Sequence, residues 1–327
     1  MARLFQQLVG HQAQVEKLLK AVQQNHLSHA MLFVGPEGVG KKAVAMALTQ
    51  ALLCPEDSKA CGYCPSCLRV EKNSHENLLV IEPEKHQIKI DQAHQVLEFL
   101  GLRSLGQNRV IVMDHAEGLN AAAANSLLKI LEEPPEGTYF LLIAPSAYHV
   151  LPTVRSRCQV LGFAGLTTQQ LAKKMPAEDW MLAGSLGSLS KLQSLLDPQE
   201  KVLRAQFLRW LHLFLHEPVG YMDGDWRELI RQRENGLRIA EYLSFFLRDV
   251  VLLQAGQKDE FIFADQMDLL REFAAQPRSL ILAMVHSALQ LQSKILQNRD
   301  TQLLMEDFWI THRQKISEGK SHVVRAD

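Results

Sequence analysis

A glycine-rich segment from Gly35 to Lys42 constrains the fold of this chain more than any other part of its sequence. It reads Gly-Pro-Glu-Gly-Val-Gly-Lys-Lys, follows the apolar run Met31–Val34 and precedes an apolar-periodic run that starts at Ala43. A strand, a glycine-rich turn and a helix in this order are the setting of a P-loop, whose backbone N–H groups and lysine bind a phosphate. The segment therefore predicts an α/β P-loop fold. Its candidate nucleotide-binding residues are Gly35, Gly38, Gly40 and Lys41.

Two positions depart from the pattern of a P-loop hydrolase. The residue after the P-loop lysine is normally Ser or Thr, whose hydroxyl ligates Mg²⁺, and here Lys42 brings a second positive charge that repels the metal. The apolar run from Arg109 predicts a strand that ends at Asp114, the carboxylate position that holds Mg²⁺ in such enzymes. His115 stands where an ATPase of this class has a glutamate that polarises water, and we interpret it as a loop imidazole without catalytic duty.

Four of the five cysteines lie close together in the sequence, and they are Cys54, Cys61, Cys64 and Cys67. Two of the three intervals have the C-x2-C spacing that lets successive sulfurs converge on one ion. Four thiolates around Zn²⁺ leave no open position for a catalytic water, so the spacing predicts a structural zinc site. Four reduced surface thiols are the alternative interpretation. Cys158 lies too far along the chain to join this group on spacing alone.

The charge balance argues against autonomous binding to DNA or to acidic lipid. Lys and Arg number 35 against 36 Asp and Glu, so the chain has no net positive field. This speaks against a zinc-containing DNA-binding module, which would bind DNA tightly and with a steep salt dependence. No apolar run reaches the roughly 18 residues of a membrane helix. The N-terminal residues lack the apolar core of a signal peptide, and a cytoplasmic location is expected.

The character of the chain changes near Gly165, where strand-like runs give way to amphipathic helical patterns. We expect an α/β domain at residues 1–165, with the four-cysteine insertion at 54–67. A short helical set at 166–198 and an all-helical domain at 199–316 follow, and residues 317–327 are expected to form a flexible tail. The helix that ends before Pro134 carries Glu132 and Glu133 at its negative end, where we expect them to meet cations or amide donors of a neighbour.

Four sequence elements together resemble the AAA+ clamp-loader family of DNA replication. They are Ser28–Phe33 before the P-loop, the four-cysteine insertion, Leu127–Pro135 with its Leu-Glu-Glu-Pro-Pro end, and Ser156–Cys158. The resemblance implies an AAA+ domain with a parallel sheet and helices on both faces, a three-helix lid at 166–198 and an all-α collar that closes a hetero-pentamer. It also implies motor subunits and a clamp-opening subunit as partners. The sliding clamp and primed DNA are reached through that complex, as part of a DNA polymerase holoenzyme.

Compared with the motor subunits of that family, this chain lacks four groups of the ATP site. Lys42 replaces the metal-binding threonine and His115 the catalytic glutamate. Pro145, or Ser146 beside it, stands at the polar sensor position, and Ser190 stands where the lid arginine lies. The resemblance therefore implies a subunit that kept the fold and lost hydrolysis. Because Lys41 is retained, nucleotide binding stays open.

Arg157 of the Ser-Arg-Cys segment is intact, unlike the chain's own ATP site. An arginine at such a turn is often only a solvated surface residue. The resemblance implies instead that its guanidinium reaches the γ-phosphate of ATP bound to a neighbouring motor subunit. The resulting hypothesis is a non-hydrolysing stator subunit that supplies Arg157 in trans. The alternative is an active AAA+ ATPase with a variant P-loop.

Overall fold

The computed structural model describes residues 8–56, 60–102, 108–216, 224–257 and 259–323, together with Phe5. The chain divides into two compact units. One comprises Met1–Pro176 and Leu186–Lys191, and the other comprises Ala177–Ser185 and Leu192–Asp327. This division is coarser than the four predicted segments, and residues of the predicted lid occur in both units.

The first unit is built on a five-stranded sheet in which every paired neighbour runs parallel. Its strands are β1 Ala30–Val34, β2 Leu78–Ile81, β3 Arg109–Met113, β4 Thr138–Ala144 and β5 Gln159–Gly162. Their spatial order is β2-β3-β4-β1-β5, and Leu32 of β1 lies beside Leu142 of β4 and Val160 of β5. The carboxyl ends of all five strands therefore meet at one edge, where the loops that follow them can form a site.

Helices cover the sheet on both faces, as the resemblance implied. In the first unit they are α1 Gln12–Gln23, α2 Lys41–Leu53, α3 Pro65–Glu71, α4 Ile90–Gly101, α5 Ala121–Glu132, α6 Pro152–Arg155 and α7 Thr168–Lys174. Phe33 and Leu141 point into a core shared with α1 and α2. Leu32 and Phe140, the strand neighbours of these residues, point into an opposite core shared with α4 and α5. Long apolar strand runs arise because a parallel sheet covered in this way is buried on both faces.

From residue 177 onward the described chain contains helices and no strand. They are α8 Asp179–Gly184, α9 Leu189–Leu195, α10 Pro198–His216, α11 Gly224–Arg231, α12 Arg233–Gln254, α13 Met267–Ala274, α14 Arg278–Leu296 and α15 Thr301–Val323. The rings of Trp210 and Phe214 lie 4.5 and 4.4 Å from that of Trp309, so an aromatic cluster joins α10 to α15. None of the described helices combines the length and apolar character needed to cross a bilayer.

The predicted flexible tail at residues 317–327 overlaps the last helix, and its flexibility stays a prediction. Helix α15 continues through residue 317 and ends at Val323, while residues 324–327 lie outside the described part of the chain. The apolar anchors Phe308, Trp309 and Ile316 lie upstream and are buried, so the helix they fix propagates beyond them.

Candidate functional site

The P-loop lies between the end of β1 and the start of α2. Gly35, Gly38 and Gly40 all have positive φ angles, of 152°, 71° and 103°. At Gly38 a Cβ atom would lie 2.2 Å from the Ser188 hydroxyl, so this position combines a left-handed backbone with a close neighbour and requires glycine. The glycines therefore shape the loop as the sequence predicts.

Three of the four candidate nucleotide-binding residues, Gly38, Gly40 and Lys41, line one cavity of about 360 Å³ at the carboxyl edge of the sheet, and Gly35 is not among its lining residues. The lining residues are Glu37, Gly38, Gly40, Lys41, Lys42, Asp114, His115, Ile143, Ala144, Pro145, Leu189 and Ser190. The Lys41 ammonium donates hydrogen bonds to the carbonyl oxygens of Gly35 and Pro36 at 2.5 and 2.7 Å, and only 7% of the residue is exposed. Burial lowers the pKa of Lys41, although Glu37 and Asp114 oppose this effect. The predicted phosphate-binding group is thus held against the loop.

Lys42 is ion-paired with two carboxylates at the carboxyl ends of neighbouring strands. Its ammonium contacts Glu82, directly after β2, and lies 3.1 Å from Asp114 Oδ2, directly after β3. The other oxygen of Asp114 accepts the His115 backbone N–H at 3.1 Å. Burial lowers the pKa of Lys42, but the hydrogen bonds with Glu82 and Asp114 outweigh burial and raise it above its ordinary value. A protonated lysine therefore pairs with Asp114, the carboxylate at the position that holds Mg²⁺ in P-loop enzymes.

His115 lies beside the cavity with its ring turned to a neighbouring acid. Its backbone is left-handed, and its Nδ1 atom lies 2.9 Å from Glu117 Oε1. The hydrogen bond with Glu117 raises the pKa of His115 above that of a free imidazole, although burial opposes this. Glu117 is thereby engaged with His115 and is poorly placed to replace the missing catalytic glutamate.

Pro145, Ser146 and Ser190 stand at the positions that the resemblance compares with the polar sensor and the lid arginine of a motor subunit. Pro145 lines the cavity, whereas the Ser146 hydroxyl accepts the Tyr148 backbone N–H and caps a short helical turn. Pro145, the one of the two that lines the cavity, has no polar side chain. Ser190 also lines the cavity, and the preceding Leu189 donates its backbone N–H to the Gly38 carbonyl oxygen at 3.0 Å. The segment that would carry a lid arginine instead packs small side chains on the P-loop.

The four predicted metal-ligating cysteines come together in one cluster. The sulfur atoms of Cys54, Cys61, Cys64 and Cys67 all lie within 4.8 Å of one another. The Cys54–Cys64 and Cys61–Cys67 sulfur pairs are 4.0 and 3.8 Å apart. A tetrahedral Zn²⁺ with Zn–S bonds of about 2.3 Å has sulfur–sulfur edges of about 3.8 Å. This cluster can hold a metal ion, and Cys158 is not part of it.

The backbone geometry and the burial of the cysteine cluster both favour a bound cation. The N–H groups of Cys64 and Cys67 point at the sulfurs of Cys61 and Cys64, each at 3.4 Å. Burial raises the pKa values of the Cys64 and Cys67 thiols, while at Cys61 the N–H groups of Tyr63 and Cys64 overcome burial and lower the pKa to about 7. Several thiolates can coexist there only if a cation compensates their charge, and this requirement is met by a divalent metal.

Arg157 lies two residues after α6 and is not among the residues that line the P-loop cavity. Its Nε and Nη2 atoms donate to Glu132 Oε2 at 3.3 and 2.9 Å, and its Nη1 donates to the Thr153 carbonyl oxygen at 2.9 Å. Glu132 therefore meets a cation of its own chain, whereas its contact with a neighbour stays a prediction. The identity of this cation could not be inferred from the sequence, because the two residues are 25 positions apart.

Comparisons with known proteins agree with this architecture. The family described as DNA polymerase III, delta subunit, matches residues 10–167, and the family described as DNA polymerase III, delta subunit, C terminal, matches residues 221–313. The chain is 30% identical over 316 residues to the DNA polymerase III subunit delta′ of Yersinia pestis, covering 89% of this chain and 91% of that protein. It is 28% identical over 321 residues to the subunit delta′ of Bacillus subtilis strain 168, covering 94% and 97%.

A solved structure supports the fold. A DNA polymerase III gamma subunit-related protein from Thermotoga maritima superposes with a TM-score of 0.51 at 15% identity, covering 93% of this chain and 99% of that one. At this identity the likeness concerns the fold alone, an AAA+ α/β domain followed by helices. Together with the sequence relatives and the parallel P-loop sheet, it leads to one conclusion. The chain belongs to the family of delta′ subunits of DNA polymerase III.

Proposed function

We propose that this chain is a non-hydrolysing stator subunit of the replicative clamp loader of DNA polymerase III. It braces the partner subunits while they load the sliding clamp onto primed DNA. Arg157 completes the ATP site of a neighbouring motor subunit, where a guanidinium neutralises charge that develops on the transferred phosphoryl group. The chain takes part in a DNA polymerase holoenzyme without an ATPase site of its own.

One observation carries the non-hydrolysing part of this proposal, and it is the Lys42 ammonium between Glu82 and Asp114. Mg²⁺ binds through carboxylates and phosphate oxygens, and in P-loop proteins it neutralises the charge of the β- and γ-phosphates. To bind there, the metal would have to displace a cation whose pKa is raised by the same two carboxylates. The alternative of an active ATPase with a variant P-loop draws support from the position of Lys41, but it requires this displacement.

The proposed partners are the motor subunits and the clamp-opening subunit of a hetero-pentamer. The clamp and the DNA are reached through that assembly, and the cytoplasm is the proposed location. We assign residues 1–165 to the AAA+ domain, 166–198 to a lid and 199–316 to a collar that joins the subunits. Zn²⁺ held by Cys54, Cys61, Cys64 and Cys67 is the proposed structural cofactor, and it would cross-link the insertion without taking part in the reaction.

A reconstitution tests the function directly. Loader assembled from the remaining subunits of the same organism, with and without this chain, is mixed with clamp and primed DNA, and loaded clamp is counted on the DNA. We expect clamp loading only when this chain is present, and we expect the chain to co-elute with the complex in size-exclusion chromatography. Equal loading without it would contradict a role in the loader.

A further inference from the structure

We propose that Glu132 is a positioning residue that fixes the guanidinium of Arg157 in the orientation needed for a phosphate on a neighbouring subunit. The inference rests on the proposed function of Arg157. It concerns a residue of this chain that contacts neither ATP nor a reacting atom. Its role is to set the direction of the group that does.

The hydrogen bonds of Arg157 leave a specific part of its guanidinium available. An arginine has five N–H donors. Within the described part of the chain, Nε and Nη2 each direct one toward Glu132 and Nη1 directs one toward the Thr153 carbonyl oxygen. Two donors remain, one on each terminal nitrogen. These donors can bind oxygens of a phosphate.

The two anchors lie on separate rigid elements of the same unit. Glu132 is the last residue of α5, and Thr153 lies in the short helix α6. An arginine side chain has four freely rotating bonds. Hydrogen bonds from its guanidinium to residues of two helices remove most of that freedom before the phosphate arrives. A side chain that is already oriented loses less conformational entropy when the phosphate binds. This preorganisation favours catalysis.

The solvent exposure of the Arg157–Glu132 ion pair indicates that it orients the guanidinium more than it stabilises the fold. The side chain of Arg157 is 28% exposed and that of Glu132 is 61% exposed. Ion pairs this open to solvent contribute little to the stability of a fold. The same openness lets a phosphate of another subunit approach the guanidinium. Removing the Glu132 carboxylate should therefore leave the fold intact and release Arg157.

The test uses the complete loader with its other ATP sites inactivated through their P-loop lysines, so that only the site facing this chain turns over. Glu132→Ala should lower kcat at that site by about 10- to 100-fold, the loss expected when a catalytic group is misplaced by about 1 Å. Glu132→Gln keeps an oxygen that accepts the Arg157 hydrogen bonds, so it should recover most of that loss. Glu133→Ala, which removes an exposed carboxylate at the next position, is the matched control and should retain full kcat.

A second comparison tests whether Glu132 acts through Arg157. In an Arg157→Ala background, Glu132→Ala should have no further effect, since the group it positions is absent. A full-strength Glu132→Ala loader, a Glu132→Gln variant as impaired as Glu132→Ala, or an equal loss in the Arg157→Ala background would each overturn the positioning role. An Arg157→Ala loader with normal activity would instead overturn the proposed function itself. Thermal melting of each variant chain should match the unsubstituted chain, and a lowered melting temperature confined to Glu132→Ala would assign that loss to folding and also overturn the inference.

Discussion

Replacing Arg157 with alanine is expected to lower kcat for ATP hydrolysis at the neighbouring motor site by about 10³-fold or more. Arginines that reach a γ-phosphate from another subunit contribute roughly 10³- to 10⁵-fold to phosphoryl transfer. A 10³-fold loss corresponds to about 4 kcal/mol of transition-state stabilisation. Lysine at this position keeps the charge but not the planar fork, so Arg157→Lys should recover only a small part of the rate.

Two quantities are measured, DNA-dependent phosphate release and clamp loading. The loader used has only one ATP site that can hydrolyse ATP, the site that faces this chain. Arg155→Ala is the matched control, because Arg155 lies two residues away and is engaged within the chain by the Ala147 carbonyl oxygen and the Tyr148 ring. We expect that control to hydrolyse ATP and load clamps normally. Unchanged ATPase and loading by Arg157→Ala would show that no neighbour depends on this guanidinium.

Replacing Cys67 with serine is expected to abolish zinc binding and to lower the free energy of unfolding by about 3 kcal/mol or more. Cys67 is fully buried within the cluster, and a serine hydroxyl is a far poorer zinc ligand than a thiolate. Structural zinc contributes roughly 10–16 kcal/mol to the folding of small zinc domains. The effect here should be smaller, since the insertion is also held by the Ser66 hydroxyl, which lies 2.7 Å from the Leu53 carbonyl oxygen and 2.9 Å from the His75 ring.

Metal analysis of the purified protein and chemical denaturation measure both parts of this prediction. One zinc per chain is expected in the unsubstituted protein and none in Cys67→Ser. Cys158→Ser is the control, because Cys158 is a half-buried thiol whose pKa burial raises to about 11, and it lies outside the cluster. It should retain its zinc. A metal-free unsubstituted protein with full stability would favour four reduced thiols instead.

The sequence was sufficient to predict features that depend on short-range spacing. Strand β2 coincides with the apolar run Leu78–Ile81, since a strand buried on both faces shows an uninterrupted apolar sequence. The P-loop and the four cysteines were also predictable, because their geometry is fixed by neighbours within a few residues. In each case the local chain dictates where the functional atoms lie.

The sequence was not sufficient for features that depend on which strand ends lie side by side. Lys42 and Glu82 are 40 residues apart. They meet because α2 starts, and β2 ends, at the carboxyl edge of the sheet. The pairing of Glu132 with Arg157 has the same origin. The helix dipole indicated that Glu132 needed a cation, but only the packing of α5 near α6 identified Arg157 as that cation.

The most direct test of the division between an inactive P-loop and an intact Arg157 is ATP hydrolysis by the purified chain alone. Phosphate release is measured with ATP and Mg²⁺, beside a Lys41→Ala variant. We predict that the unsubstituted chain releases phosphate no faster than the variant, because Lys42 is paired with Asp114, the carboxylate at the metal-binding position. Rapid Mg²⁺-dependent turnover that disappears in Lys41→Ala would contradict the proposal and identify the chain as an ATPase in its own right.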